Sequence, residues 1–541
     1  MVTQDFTSQT KELIDNLKGV CNSYGLGNSG NEFKIITQVF LYKFMNDKFG
    51  YEVKQIDTKL RKAEYWEQEI AKHSDKEYAM LLNKMSPDSA KLKREHFLSY
   101  LHNKQNQEEF AKLFDDTLRD IAIFNNDIFS VKTEGGTKVK LFDDLSTSIT
   151  DVSKRDSFCK ALINQLVNFS FEKIFSQKFD FFSTIFEYLI KDYNKDGGGT
   201  YAEYYTPHAV SKIMASILVD RPVANVTCYD PSAGSGTLLM NLAHAIGEDR
   251  CTIYSQDISQ KSSGMLRLNL ILNNLVHSIQ NIVEGNTLLS PYHKTGDKLM
   301  KFDYIVSNPP FNLDFSNFHA QLDSKQNHER FFAGIPKIPN KDKNSMAIYL
   351  LFIQHIVHSL TAKGKAAIVV PTGFITKGGI PMIIRQKLVD EKMLRGVISM
   401  PSNIFATTGT SVSILFIDKA NKTGNIMLMD ATKFGHTEKD VKNQKTVLSD
   451  DEEQLIINTF NKHEAKKGFT VVVSYDQIKE NNYSFSAGQY FDVDIEYTDI
   501  SSKEFDTKMQ EYANNLDMLF GESKKIESSI KKQLGGMKYG E

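Results

Sequence analysis

The sequence predicts an α/β fold: a Rossmann-like core, preceded by a helical N-terminal domain and closed by a helical, coiled-coil-like tail. Three observations predict it. Short β-branched runs alternate with helical patterns between Val226 and Ile417. A glycine-rich turn, Asp230 to Gly236, follows the first of these runs. From Phe505 onward, apolar residues recur every seven positions.

Residues 1 to about 165 read as helical, with Phe33, Ile36, Phe40 and Phe44 at helical spacing. Charged, Gln/Asn-rich stretches such as Leu101 to Leu113 continue that character, and nothing there forms a catalytic pattern. A packing and docking domain is expected. A loop signal at Asp192 to Thr200 contains Asp196-Gly197-Gly198-Gly199. The strand-like runs then begin: Val226 to Tyr229, Thr252 to Ser255, Tyr304 to Ser307, Ala366 to Val370, Gly396 to Ser399 and Ser413 to Ile417. Interleaved with helices, they indicate a parallel sheet, which binds ligands outside the carboxyl ends of its strands. After about residue 420 the pattern weakens. The heptad seam joins Phe505, Tyr512, Leu519 and Ile526 to Met509, Leu516, Ser523 and Ile530, interrupted by Gly521. It suits a helix that pairs with a partner, the alternative being a surface helix packed on its own domain.

A chain of 541 residues exceeds one compact core. No apolar run reaches the roughly 18 residues of a membrane span. Met1-Val2-Thr3-Gln4-Asp5 lacks signal-peptide character, so no membrane association and a cytoplasmic location are expected. Cys21, Cys159, Cys228 and Cys251 are scattered without metal-ligand spacing, so neither a disulfide nor a zinc site is expected. The 65 basic side chains are balanced by 67 acidic ones. A protein that grips nucleic acid alone usually carries a basic excess. Here either the cations cluster on one face or a partner supplies much of the grip.

Four motifs carry chemistry. In Tyr229-Asp230-Pro231-Ser232-Ala233-Gly234-Ser235-Gly236-Thr237, glycines after a strand let the backbone approach a ligand at a helix N-terminus. Any nucleotide-binding sheet could use such a turn, but Leu239 stands where a dinucleotide fingerprint wants its third glycine. Asp257 follows the next strand, where an acid can accept both ribose hydroxyls of an adenosyl group or simply cap a helix. The decisive motif is Ser307-Asn308-Pro309-Pro310-Phe311. Two prolines force the chain out of the sheet in a stiff turn. Such a turn can aim the Asn308 side-chain oxygen and the Pro309 carbonyl at one amino group conjugated to a ring. Bonding both hydrogens frees the nitrogen lone pair, and Phe311 can stack on a base flipped from the duplex. Finally, Glu203-Tyr204-Tyr205-Thr206-Pro207 could begin a helix, with Thr206 as N-cap and Pro207 in the first turn.

These motifs, with Gly364 to Pro371 and Ile404 to Thr410, resemble the modification (M) subunit of type I restriction-modification systems, an adenine-N6 DNA methyltransferase. The likeness runs nearly end to end. It implies an S-adenosylmethionine-dependent methyltransferase core at 166–420, between the helical domain at 1–165 and a mixed region at 421–500, with a helix for subunit contact at 501–541. It implies S-adenosyl-L-methionine as cofactor. Asp230, Ala233, Gly234, Ser235 and Gly236 would shape its loop, and Tyr205, Thr206 and Pro207 would lie at its methionine end. Asp257 would hold the ribose, and Asn286 would stand near the adenine in place of the usual Asp. Asn308, Pro309, Pro310 and Phe311 would carry catalysis and base stacking, without a metal. The implied partners are double-stranded DNA, a specificity (S) subunit that reads the target, a second M subunit, and a restriction (R) subunit in the full complex.

Other readings make different demands. Cytosine-C5 methylation needs a nucleophilic Cys, usually after Pro, and no cysteine here follows one. Cytosine-N4 methylation commonly has Ser where Asn308 stands. Protein or RNA amino methylation can use the same tetrapeptide, in enzymes without the long helical domain and heptad tail. A non-catalytic scaffold would not need the glycine loop and Asn308 together.

Overall fold

The computed structural model describes residues 2–27, 29–175, 188, 206–405, 411–421, 424–440, 443–491 and 500–536. Residues Met1–Phe491 form one compact unit and Asp492–Glu541 a second.

The N-terminal part of the first unit is built around the helix Gly30–Ile56. Ser29 caps it by accepting the Glu32 N–H at 3.2 Å. Phe33, Ile36, Phe40 and Phe44 are buried, but so are Ile35, Val39, Tyr42 and Phe49. The helix is apolar on most of its circumference because other helices surround it, a central rather than an amphipathic helix. Phe40 and Phe44 meet Phe171 edge-on, at 5.0 and 5.6 Å between centroids. Within Leu101–Leu113 the structure has the end of the helix Leu98–Lys104, a turn, and the start of the helix Phe110–Phe124.

This part is not purely helical. Strands β1 (Val131–Thr133) and β2 (Lys138–Val139) form a hairpin. The chain then supplies β3 (Val226–Asp230), the helix Thr237–Ile246, β4 (Cys251–Asp257), the helix Gln260–Leu272 and β5 (Ile282–Glu284). A small hairpin of β6 (Lys294–Thr295) and β7 (Lys298–Leu299) precedes β8 (Phe302–Ser307). Next come the helix Tyr349–Ser359, β9 (Leu360–Pro371), the helix Ile380–Asp390, β10 (Leu394–Ser399), β11 (Val412–Asp418) and β12 (Ile426–Asp430). A second hairpin, β13 (His436–Asp440) and β14 (Asn443–Val447), the helix Asp450–Lys462 and β15 (Thr470–Val473) follow.

Eleven strands form one sheet in the order β15-β12-β10-β11-β9-β8-β3-β4-β5-β1-β2. All six sequence runs fall within strands. The expectation of a wholly parallel sheet needs correction: β11 runs antiparallel to both β9 and β10, β15 is antiparallel to β12, and the β1–β2 hairpin adds to the far edge. A strand buried on both faces reads as the same continuous apolar run in either direction, so its sequence does not encode polarity. In β9, Ala366, Ile368 and Val370 enter one core, while Ala367 and Val369 enter the core on the opposite face. Each fully buried Ile or Val there contributes about 1.5–3 kcal/mol of transfer free energy.

A third apolar cluster lies beyond the carboxyl end of β8. Phe315, Leu322, Phe331, Met346, Ile348, Leu351 and Phe352 pack around Leu288. Among the described residues no helix is long and apolar enough to cross a membrane. The four cysteines are buried and free.

The second unit contains the helix Ser502–Gly536. Every described heptad residue is exposed, its apolar members from Ile530 at 50% to Ile526 at 60%. Met518, Phe520 and Leu534 add to this apolar surface.

Candidate active site

Four neighbouring parallel strands, β5, β4, β3 and β8, end side by side. Their carboxyl ends bring motifs distant in sequence to one cavity of about 230 Å³. Thr206, Asp230, Ala233, Gly234, Ser235, Asp257, Asn286, Asn308 and Pro310 line it. Pro207, Gly236, Pro309 and Phe311 do not lie on this wall, and Tyr205 is outside the described residues.

The glycine loop leaves β3 at Asp230 and enters the helix Thr237–Ile246. Gly234 and Gly236 adopt φ of 53° and 84°, in the left-handed region that favours glycine. Gly236 does not line the cavity: its left-handed φ strains any other residue there, and an added Cβ would also stand 2.2 Å from Leu266 Cδ1. Asp257 fixes the loop from the next strand: one carboxylate oxygen accepts the Gly234 N–H at 2.9 Å, the other the Ser259 N–H at 2.9 Å. It therefore closes its own turn and faces the cavity, while the cap of the following helix, Gln260–Leu272, is Ser259 rather than Asp257. Burial raises its carboxyl above the usual carboxylate range, against those two N–H donors.

Asp230 is 1% exposed and accepts the Ser232 N–H at 2.9 Å. Burial pushes its carboxyl up to about 8, with the Ser232 N–H opposing and the charge of Asp257 adding to the rise. The folded chain thus holds this proton where the unfolded chain has lost it. Because the folded pKa is the higher one, stability falls as pH rises from about 4 to about 8. Asp230→Asn is expected to flatten that dependence by up to about 1.4 kcal/mol per pH unit, one proton's worth. Denaturant unfolding between about pH 5 and 7.5 checks it. Identical slopes for the two proteins would contradict the assignment.

Ser232 Oγ lies 2.7 Å from Ser307 Oγ, joining the glycine loop to the residue before Asn308. Asn308 Nδ2 donates to Thr206 Oγ1 at 3.2 Å. That bond occupies the amide nitrogen and leaves Oδ1 as the acceptor of the side chain. Thr206 is not the expected N-cap. Pro207 is the cap residue of the helix His208–Leu218, which has no side-chain cap, and the Thr206 hydroxyl serves Asn308 instead. Pro309 is buried, and Pro310 is exposed on the cavity wall. Phe311 is half-buried, edge-on to Tyr349 at 6.3 Å.

Asn286 spends its side-chain oxygen on the N–H groups of Leu288 and Leu289, both at 3.1 Å, which leaves its NH₂ group as a donor. Its backbone N–H donates to Glu134 at 2.9 Å, so the β1–β2 hairpin buttresses this wall. The apolar side of the cavity includes Leu238 and also Ile258, Leu288, Leu313, Phe318, Ile348 and Phe352, to none of which the sequence assigned a role. Ile258, beside Asp257 and 69% exposed, is the one with a sequence signal: an apolar side chain just past a strand's carboxyl end. Arg330 is 3% exposed and donates to the Leu288 carbonyl at 2.5 Å, tying the third cluster to the same wall.

A mixed sheet of this order, with a glycine loop, a buried acid and an Asn-Pro-Pro-Phe turn at adjacent strand ends, defines a Rossmann-like methyltransferase core. The particular family is the N-6 DNA methylases, whose model matches residues 177–499, and the chain belongs to it. It is 27% identical over 453 residues to the methylase subunit of the type I restriction enzyme MpnII of Mycoplasma pneumoniae, covering 80% of this chain and 78% of that one. It is 26% identical over 393 residues to the methylase subunit of the enzyme MjaIX of Methanocaldococcus jannaschii, covering 70% and 66%. The fold matches that of a type I restriction-modification methyltransferase subunit from Streptococcus thermophilus with a TM-score of 0.69 at 20% identity, over 90% of this chain and all of that one.

Proposed function

We propose that this N-6 DNA methylase is the methylase subunit of a type I restriction-modification system and moves a methyl group from S-adenosyl-L-methionine to the N6 amino group of a flipped adenine. One observation carries the reading: Asn308, with its amide nitrogen held by Thr206, shares a cavity with Asp257 and the glycine loop. The donor set suits the cofactor. Asp257 retains acceptor capacity for ribose hydroxyls, the Asn286 NH₂ group can donate to an adenine nitrogen, and Ile258, Leu288 and Phe352 supply apolar surface for the ring. In the same reading Pro207 and Gly236 act from behind this wall, and Tyr205, outside the described residues, serves the methionine end of the cofactor.

When bound, S-adenosylmethionine supplies an electrophilic methyl group. The chain does the rest by orientation. Asn308 Oδ1 and the Pro309 carbonyl accept the two amino hydrogens of adenine. They withdraw the nitrogen lone pair from the ring and stabilise the positive charge that develops on it. Phe311 stacks on the flipped base, and Pro309 and Pro310 keep the turn rigid. No metal takes part. Residues 1–165 then serve as a docking domain, 166–420 as the catalytic domain, 421–500 as a mixed region, and 501–541 as the subunit-contact helix. The exposed seam of the helix Ser502–Gly536 and the absence of a basic excess support assembly with a specificity subunit, a second copy and, in the full complex, a restriction subunit on double-stranded DNA in the cytoplasm.

Co-expression with the neighbouring gene products tests the division of labour. Transfer of labelled methyl to DNA is expected from the co-purified complex and not from the chain alone. Full transfer by the chain alone would make it self-sufficient and sink the subunit reading.

A further inference from the structure

Both ends of the segment 336–346 are tied to the rim of the cavity. The Pro336 carbonyl lies 3.1 Å from His319 Nε2, next to Phe318 on the cavity wall. The Met346 carbonyl accepts the N–H of Leu313, also on that wall, at 3.1 Å. Pro336 and Pro339 stiffen the span between the ties. Along it Lys337, Lys341 and Lys343 are exposed, and among the described residues none forms an ion pair within 4 Å. Asp342 and Asp314 are engaged in their own turns. Asp342 accepts the Asn344 N–H at 3.1 Å, and Asp314 accepts the Ser316 N–H at 2.8 Å. The Ser316 hydrogen bonds, helped by the charge of Lys343, hold the Asp314 carboxyl below its usual range.

Unpaired cations are ordinary on a mobile loop. Three of them on a span anchored at both ends, beside the mouth where Asn308 stands, are pre-positioned for one polyanion. The chain as a whole is electrically balanced, so attraction for DNA has to be local. We propose that Lys337, Lys341 and Lys343 grip the phosphate backbone of the duplex beside the flipped adenine, fixing its register over the cavity without reading sequence. The assignment rests on the DNA-methylase reading above.

The test uses the co-expressed complex with Lys337→Ala, Lys341→Ala and Lys343→Ala combined, and measures affinity for a DNA duplex across a salt series. Three lost phosphate contacts lower the slope of log affinity against log salt by about 2–3 for each copy of the chain engaged on the duplex. Affinity at about 0.1 M salt falls at least ~10-fold, on specific and unrelated sequences alike. The matching triple Lys→Arg variant keeps the slope, which separates charge from folding damage, and cofactor titration is unchanged in both. An alanine variant with the wild-type slope, or an arginine variant as impaired as the alanine one, overturns the lysine assignment. A wild-type complex that binds cofactor but no DNA at any salt fails the methylase reading itself.

Discussion

Asn308→Ala is expected to lower kcat by at least ~10²–10³-fold, the scale seen when a group aimed at transition-state charge is removed, while cofactor affinity changes little. The reason is positional. Asn308 meets the cavity from β8 and bonds to Thr206, whereas the loop and acid assigned to the cofactor belong to β3 and β4. Thr206→Val should act in the same direction but more weakly, since it frees the Asn308 amide to rotate without removing the acceptor. Single-turnover transfer with saturating cofactor, alongside cofactor titration, separates the two steps. Equal loss of transfer and of cofactor binding in a folded Asn308→Ala protein would refute this division.

Asp257→Ala is expected to do the converse. Hydrogen bonds to a charged group are worth about 1.5–3 kcal/mol each, so losing its contacts weakens cofactor binding by ~10–100-fold. Part of that loss comes from the Gly234 N–H, which Asp257 holds at 2.9 Å and which would lose its partner. At saturating cofactor, kcat should fall far less than in Asn308→Ala. Isothermal titration with the cofactor measures the first effect. A variant that binds as tightly as the parent would remove Asp257 from the site.

Much of this site was legible because its polar members sit in short motifs at strand ends. Asp230, Gly234, Asp257 and Asn308 each follow a β-branched run, and parallel pairing necessarily gathers such ends. The apolar wall was not legible. Leu313, Phe318 and Ile348 come from a segment with no regular period, Phe352 comes from the helix Tyr349–Ser359 that is buried nearly all round, and Phe318, Ile348 and Phe352 meet Leu288 only in three dimensions. Gly236 illustrates a related limit: the sequence shows a glycine turn but not the left-handed φ that Gly236 adopts beside Leu266. Thr206 shows the local rule losing to tertiary context. Its position suited an N-cap, yet its hydroxyl meets Asn308, 102 residues away in the chain. The antiparallel β11 and the β1–β2 hairpin escaped for a similar reason, since strand direction and edge pairing depend on partners rather than on the strand's own residues.

The most direct test of the central claim is the chemical identity of the methylated product. DNA incubated with the co-purified complex and labelled S-adenosylmethionine is digested to nucleosides and resolved. Label confined to N6-methyladenine, and lost with Asn308→Ala, is the predicted result. Label in N4-methylcytosine or 5-methylcytosine, or no label in DNA from a complex that binds the cofactor, would contradict it.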